Sequence, residues 1–154
     1  MKGDHKAAIE VCQRIIDLDP GFPGGHFAIA WSYLKTGRNN EAIAEWQKAL
    51  ELNGRYSTTL GELGAAFATS GRPGDAIAVL KELEERYGKN RANGTDLATV
   101  YAALGEKDKA FEWLERDVSA RNPRFLEFRW SPASDPLRDD PRFKEILKKM
   151  GLPE

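Results

Sequence analysis

Residues 23–56 read PGGHFAIAWSYLKTGRNNEAIAEWQKALELNGRY, and the spacing within this stretch decides the fold. Ile29, Ala30 and Tyr33 lie three and four residues apart, as do Ala42, Trp46 and Ala49. Positions with that spacing share one face of a helix. The stretch therefore predicts two amphipathic helices, with Gly37 between them. Glycine takes the left-handed conformation without a Cβ penalty, so it ends the first helix. Small residues at 30 and 42 let the pair approach closely.

Working outward, the same pattern recurs. Alanines stand at 8, 42, 76 and 110, each 34 residues after the last, and glycines at 3, 37, 71 and 105 keep the same step. Ile9, Ile43, Ile77 and Phe111 follow the alanines by one residue, and Cys12, Trp46, Leu80 and Leu114 by four. Tyr33, Phe67 and Tyr101 precede three of the glycines by four. Ile29, Leu63 and Leu97 come four residues earlier still, each followed by a small residue: Ala30, Gly64 or Ala98. Pro20, Gly54, Gly88 and Asn122 suit the stop after each second helix. One helical hairpin cannot bury its apolar face alone, so hairpins of this kind stack.

This pattern resembles the tetratricopeptide repeat (TPR), a helical hairpin of about 34 residues. The resemblance runs from residue 3 to about 123 and implies an all-α superhelix of stacked antiparallel hairpins. A half repeat is expected over 1–22, full repeats over 23–56, 57–90 and 91–124, and a C-terminal cap over 125–154. The tryptophan usual early in the first helix is replaced by His26, Leu60 and Gly94. Asn93-Gly94 is turn-like, so the first helix of the last repeat is expected to begin near Thr95. Ser57 is placed to cap its helix and Pro73 to open the next.

Beyond residue 124 the repeat is lost. Arg124-Phe125-Leu126-Glu127-Phe128-Arg129-Trp130 is rich in aromatics, and two Asp-Pro pairs, at 135–136 and 140–141, read as helix starts. Phe143, Ile146, Leu147 and Met150 share a face that would cover the last repeat. The ending from Asp135 to Pro153 resembles that of many bacterial TPR proteins, in which the array follows a winged-helix or a serine/threonine kinase domain. That likeness implies a bacterial origin and a regulatory setting.

Composition narrows the function. The 154 residues are 41% hydrophobic and 31% charged, with a net charge of −1. Mixed charge gives no bulk reason to bind nucleic acid or an anionic membrane. No apolar run is long enough to span a bilayer. Met1 to His5 lead into no apolar stretch, so no secretory signal is read there, and a cytoplasmic setting is expected. The single cysteine, Cys12, sits at a large-apolar repeat position and reads as a small buried hydrophobe. His5 and His26 lack ligand-spaced companions, so no metal site is expected, and His26 reads as structural. Glu84-Glu85 read as a solvated helix face, as do Arg142, Lys144, Lys148 and Lys149. Gly71-Arg72-Pro73-Gly74 lacks the Lys-Ser/Thr ending of a phosphate loop. No constellation recommends catalysis or a cofactor.

The TPR resemblance implies a protein-binding scaffold whose concave face is lined by first helices. Alignment of the repeats puts Phe27, Trp31, Leu34 and Lys35 there, then Thr58, Gly61, Glu62, Ala65 and Thr69, then Thr95, Asp96, Thr99 and Ala103. Small residues imply a roomy middle beside an aromatic wall, suited to an extended segment or an amphipathic helix. The alternative is that Phe27 and Trp31 pack against the first helix or the C-terminal tail. Some TPR domains clamp a terminal carboxylate with lysine, asparagine and arginine. Phe27, Trp31, Glu62, Ala92 and Asp96 at the matching places argue against such a clamp. A second reading is self-association. The first repeat lacks its first helix in this chain, so part of the stripe Ile9, Cys12, Ile15 and Ile16 is expected to be exposed. A preceding helix in a longer protein, or a second copy, would cover it.

Overall fold

The structure is a computed structural model that describes residues 5–153. The helices run in order: α1 (His5–Leu18), α2 (Pro23–Lys35), α3 (Asn39–Leu52), α4 (Ser57–Thr69), α5 (Pro73–Gly88), α6 (Gly94–Ala103), α7 (Lys107–Ser119), α8 (Arg124–Phe128), a 3-10 helix (Pro132–Leu137) and α9 (Pro141–Lys149). The fold is the TPR superhelix. Helices α2–α3, α4–α5 and α6–α7 pack as hairpins, α1 packs on α2, and α4 packs on α6. Gly3 and Asp4, expected as the first repeat glycine and the start of α1, lie outside the described residues.

One device closes each hairpin. Gly37, Gly71 and Gly105 all have φ between 74° and 81°. That turn lets Arg38, Arg72 and Glu106 donate their N–H groups to the carbonyls of Tyr33, Phe67 and Tyr101, each at 2.9 Å. Orphan carbonyls at the helix end are thereby satisfied. The guanidiniums of Arg38 and Arg72 then lie 4.2 and 4.4 Å from the ring centres of Tyr33 and Phe67. The second helices stop by related turns, but not always at the expected residue. Gly54 has a positive φ as expected; α5 instead runs through Gly88, and Asn90 takes the left-handed turn. At the end of α7 it is Arg121, not Asn122, that turns, leaving Asn122 N–H to reach Asp117 carbonyl at 2.9 Å.

Two helix starts also differ from expectation. Ser57 does not cap α4. It is the first helical residue and buried, while Asn53 Oδ1 accepts from Tyr56 N–H at 3.0 Å and fixes the entry. Asp135-Pro136 opens no helix. It lies inside the 3-10 helix, which Ser131 caps by accepting from Ala133 N–H. The other Asp-Pro pair does start α9, with Asp140 as its cap and Pro141 in its first turn. Asn93 caps α6 in a reciprocal box with Asp96, so the helix begins at Gly94.

The core falls into two clusters. Trp46, Leu60, Leu83 and Leu97 are fully buried in the first. Phe111, Leu114, Phe125, Phe143 and Ile146 form the second, around α7, α8 and α9. Tyr101 and Trp113 pack against both. Arg142 is not a merely solvated cation. It pairs with Asp108 and Asp140 and lies 4.2 Å from the centre of the Phe111 ring, which pins α9 to α7.

Because Ile146 is fully buried, Ile146→Ala should cost roughly 2–4 kcal/mol of unfolding free energy in urea titrations. A loss below about 0.5 kcal/mol would show that α9 does not carry this part of the core.

Candidate functional site

The concave face is built from α2, α4 and α6, but it is not open along its length. The C-terminal segment 124–138 lies across it. Arg124 Nη2 donates to Thr58 Oγ1 at 2.6 Å, Ser131 Oγ donates to Glu62 Oε1 at 3.5 Å, and Lys35 Nζ lies 3.8 Å from Asp135 Oδ2. A cavity of about 390 Å³ remains between this segment and the first helices.

Seven of the residues that the repeat alignment puts on the concave face line this cavity: Phe27, Trp31, Thr58, Glu62, Thr95, Asp96 and Thr99. Leu34, Lys35, Ala65 and Thr69 do not. Leu34 packs on the core, Ala65 is buried, and Thr69 turns its hydroxyl back to the Ala65 carbonyl at 3.0 Å. Lys35 instead borders a more open cleft with His5 and Trp130, and Trp31 borders both. The repeat alignment missed Asn53 and Tyr56, which precede α4, and Arg124, Glu127, Phe128 and Ser131, which lie beyond the repeats. The aromatic run at 125–130 was the available signal for the last group.

Gly61 does not widen the groove. A Cβ there would sit 2.9 Å from the Asp96 carbonyl oxygen, so the glycine is what lets α4 and α6 touch. Asp117 fixes the opposing helix. Its buried carboxylate accepts from Gly94 N–H at 2.9 Å, Thr95 N–H at 2.7 Å and the Thr95 hydroxyl. Both contacts hold Asp96 beside Glu62.

Glu62 is only 8% exposed. Burial pushes its carboxyl up to about 8, with the neighbouring charge of Asp96 adding to the rise. Ser131 and Arg124 pull the other way without prevailing. Glu62 is thus mostly protonated at neutral pH. Asp96 is 3% exposed, and its Oδ2 accepts from Asn93 N–H and Nδ2–H at 3.0 and 3.2 Å. The rings of Phe27 and Trp31 stand 6.1 Å apart at 37° and form one wall.

The other singled-out residues lie in structural settings. His26 pairs with Glu45 through Nδ1 at 2.7 Å and donates from Nε2 to the Pro20 carbonyl at 3.1 Å. Cys12 is buried, which raises its thiol. Glu84 accepts from the Tyr101 hydroxyl at 3.0 Å, and Tyr101 is pushed up to about 12, chiefly by burial. Among the described residues, no three His, Cys, Asp or Glu side chains group as metal ligands, and no helix is long and apolar enough to cross a membrane.

Residues 27–91, from α2 to beyond α5, match the tetratricopeptide repeat family model. Two solved crystal structures of MamA are similar. One is 28% identical, covering 97% of this chain and 85% of that chain, with a TM-score of 0.52. The other is also 28% identical, covering 97% and 91%, with a TM-score of 0.53. A search of curated proteins gave no match. Residues 27–91 thus match the repeat family, and the superhelix of the whole chain is TPR-like.

The Glu62 environment makes a thermodynamic prediction. Its folded value lies above the ordinary carboxyl value of 4.5, so between the two the folded state holds more protons than the unfolded chain. Stability from this source is intact below about 4.5 and falls as pH rises to about 8. Glu62→Gln cannot titrate. Its Tm should match the parent at acid pH and exceed it by on the order of 10 °C at pH 8. A difference that does not vary with pH would show that Glu62 is not held protonated.

Proposed function

We propose that this chain is a scaffold that binds a segment of a partner polypeptide at the cavity on its concave face. TPR architecture supports a protein-interaction role. The observation that carries the finer reading is the cavity itself, bounded by α2, α4 and α6 with the Phe27–Trp31 wall on one side. Binding there works by shape, apolar contact and a few polar groups, without turnover or a cofactor. The C-terminal resemblance favours a bacterial, regulatory setting, and the reading of the N-terminus favours a cytoplasmic one. A random-heptapeptide library displayed against the full chain tests the reading. Replacing Phe27 and Trp31 together by alanine should weaken a selected peptide by roughly 2 kcal/mol or more, with helical circular dichroism retained. Unchanged affinity would place the site elsewhere.

A second reading, self-association, is favoured by a specific surface. On α1, Val11 is 56% and Leu18 87% exposed, with Ile15 and the following Phe22 also exposed. The residues at fault in a dimer are not the pair Ile9 and Ile16, which are partly buried against the core. An apolar face of this kind suits a second copy. Val11→Asp with Leu18→Asp should lower any self-association seen by sedimentation while leaving the fold intact. A parent chain that stays monomeric at high concentration would remove this reading.

A further inference from the structure

We infer that the concave cavity receives the guanidinium of an arginine, with Glu62 and Asp96 as its acceptors and Phe27 and Trp31 as its stacking wall. The inference rests on the peptide-binding reading above and names the side chain that this site selects.

Size comes first. A volume of about 390 Å³ is at the low end for ligand sites, enough for one long side chain and too small for a helix. Charge comes next. Glu62, Asp96 and Glu127 line the cavity against a single cation, Arg124. Arg124 is already committed to Glu127 and to Thr58.

The hydrogen-bond inventory then decides the ligand's polarity. Several donors around the cavity are spent within the chain, while Trp31 Nε1 and Arg124 Nε are buried on lining residues and make no hydrogen bond with the described residues. Thr99 Oγ1 donates to the Thr95 carbonyl at 2.9 Å, Thr95 Oγ1 to Asp117, and Asn53 Nδ2 to Thr59 Oγ1 at 3.3 Å. The acceptors are not spent. Asp96 uses Oδ2 for Asn93, and Glu62 uses Oε1 for a long contact with Ser131, so Asp96 Oδ1 and Glu62 Oε2 take no hydrogen bond from the described residues. Both side chains are more than nine-tenths buried. A ligand that satisfies these two carboxyl oxygens must bring donors. A guanidinium brings five in a plane, and a planar cation also stacks on aromatic faces. Ammonium satisfies the charge but not the plane.

Entry of a cation would ionise Glu62 and release its proton. The charged or titratable groups around it are Asp96 on α6, Arg124 and Glu127 on α8, and Tyr56 before α4; α2 contributes Phe27 and Trp31, which do not titrate. Arginine keeps its charge throughout, so affinity should rise with pH until Glu62 is ionised in the free protein.

The test uses the full chain and the same random-heptapeptide library. Selected peptides should share an arginine, and replacing that residue by citrulline, its neutral isostere, should weaken binding roughly 30-fold or more. Parent affinity should rise on the order of tenfold per pH unit from pH 6 toward 8. In Glu62→Gln that slope should vanish, with affinity at pH 8 at least about tenfold lower. The slope in the parent needs no variant, so a misfolded Glu62→Gln would not shield the idea. Equal binding of the citrulline peptide, or a flat pH profile in the parent, would overturn it. Peptides selected without a basic residue, yet lost on removing Phe27 and Trp31, would overturn the arginine assignment and leave the groove reading standing. A library that yields no binder would overturn both.

Discussion

The hydrogen bond across each left-handed glycine turn sets the geometry on which everything else depends. Arg38 to Tyr33, Arg72 to Phe67 and Glu106 to Tyr101 close three helix ends in one way, at one distance. Three equal turns give three equal hairpins, and equal hairpins stack with their first helices side by side. The concave face is the result of that repetition. Its content is not repeated, because first helices differ where they do not touch their own partners. Phe27 and Trp31 in one copy stand where Gly61 and Ala65, then Thr95 and Thr99, stand in the others.

How legible the molecule was follows from this division. The repeat could be read because its period is enforced by backbone turns and by close helix contact, and both leave fixed residue types. Turn positions without that enforcement were read less well. Gly88, Asn122 and Ser57 all have suitable chemistry, yet Asn90, Arg121 and Asn53 do those jobs. Local propensity names candidates, and the path of the chain chooses among neighbours one to four residues apart. The arginine-on-ring contacts after Gly37 and Gly71 escaped notice because only two of the copies carry them.

The site was half legible for a related reason. Seven of its residues follow from the repeat register, since register alone says which face a side chain takes. The lid of the cavity does not. Arg124, Phe128 and Ser131 come from a segment with no period, and only its aromatic content marked it as something to be buried. Once Phe125 and Phe128 are drawn into the second core cluster, the chain between α8 and α9 has to cross the open ends of the first helices. The groove is therefore narrowed as a consequence of capping the array, and one packing requirement produces both features.

What packing does not explain is Glu62. A buried carboxyl beside another carboxylate opposes folding at neutral pH, and removing its charge by protonation is a partial remedy. A structural role would require a strong contact in return. The one from Ser131 spans 3.5 Å, at the edge of hydrogen bonding, and a glutamine would serve it equally. Asp96 differs in this respect, since its capping box at Asn93 accounts for one of its oxygens. Every other buried polar group lining the cavity on α6, Thr95 and Thr99, is fully engaged with the protein. A local violation in an otherwise consistent fold is where function is expected to reside. Here the violation is an excess of buried acceptors beside an aromatic wall, and the chemistry that resolves it is a cation rich in donors.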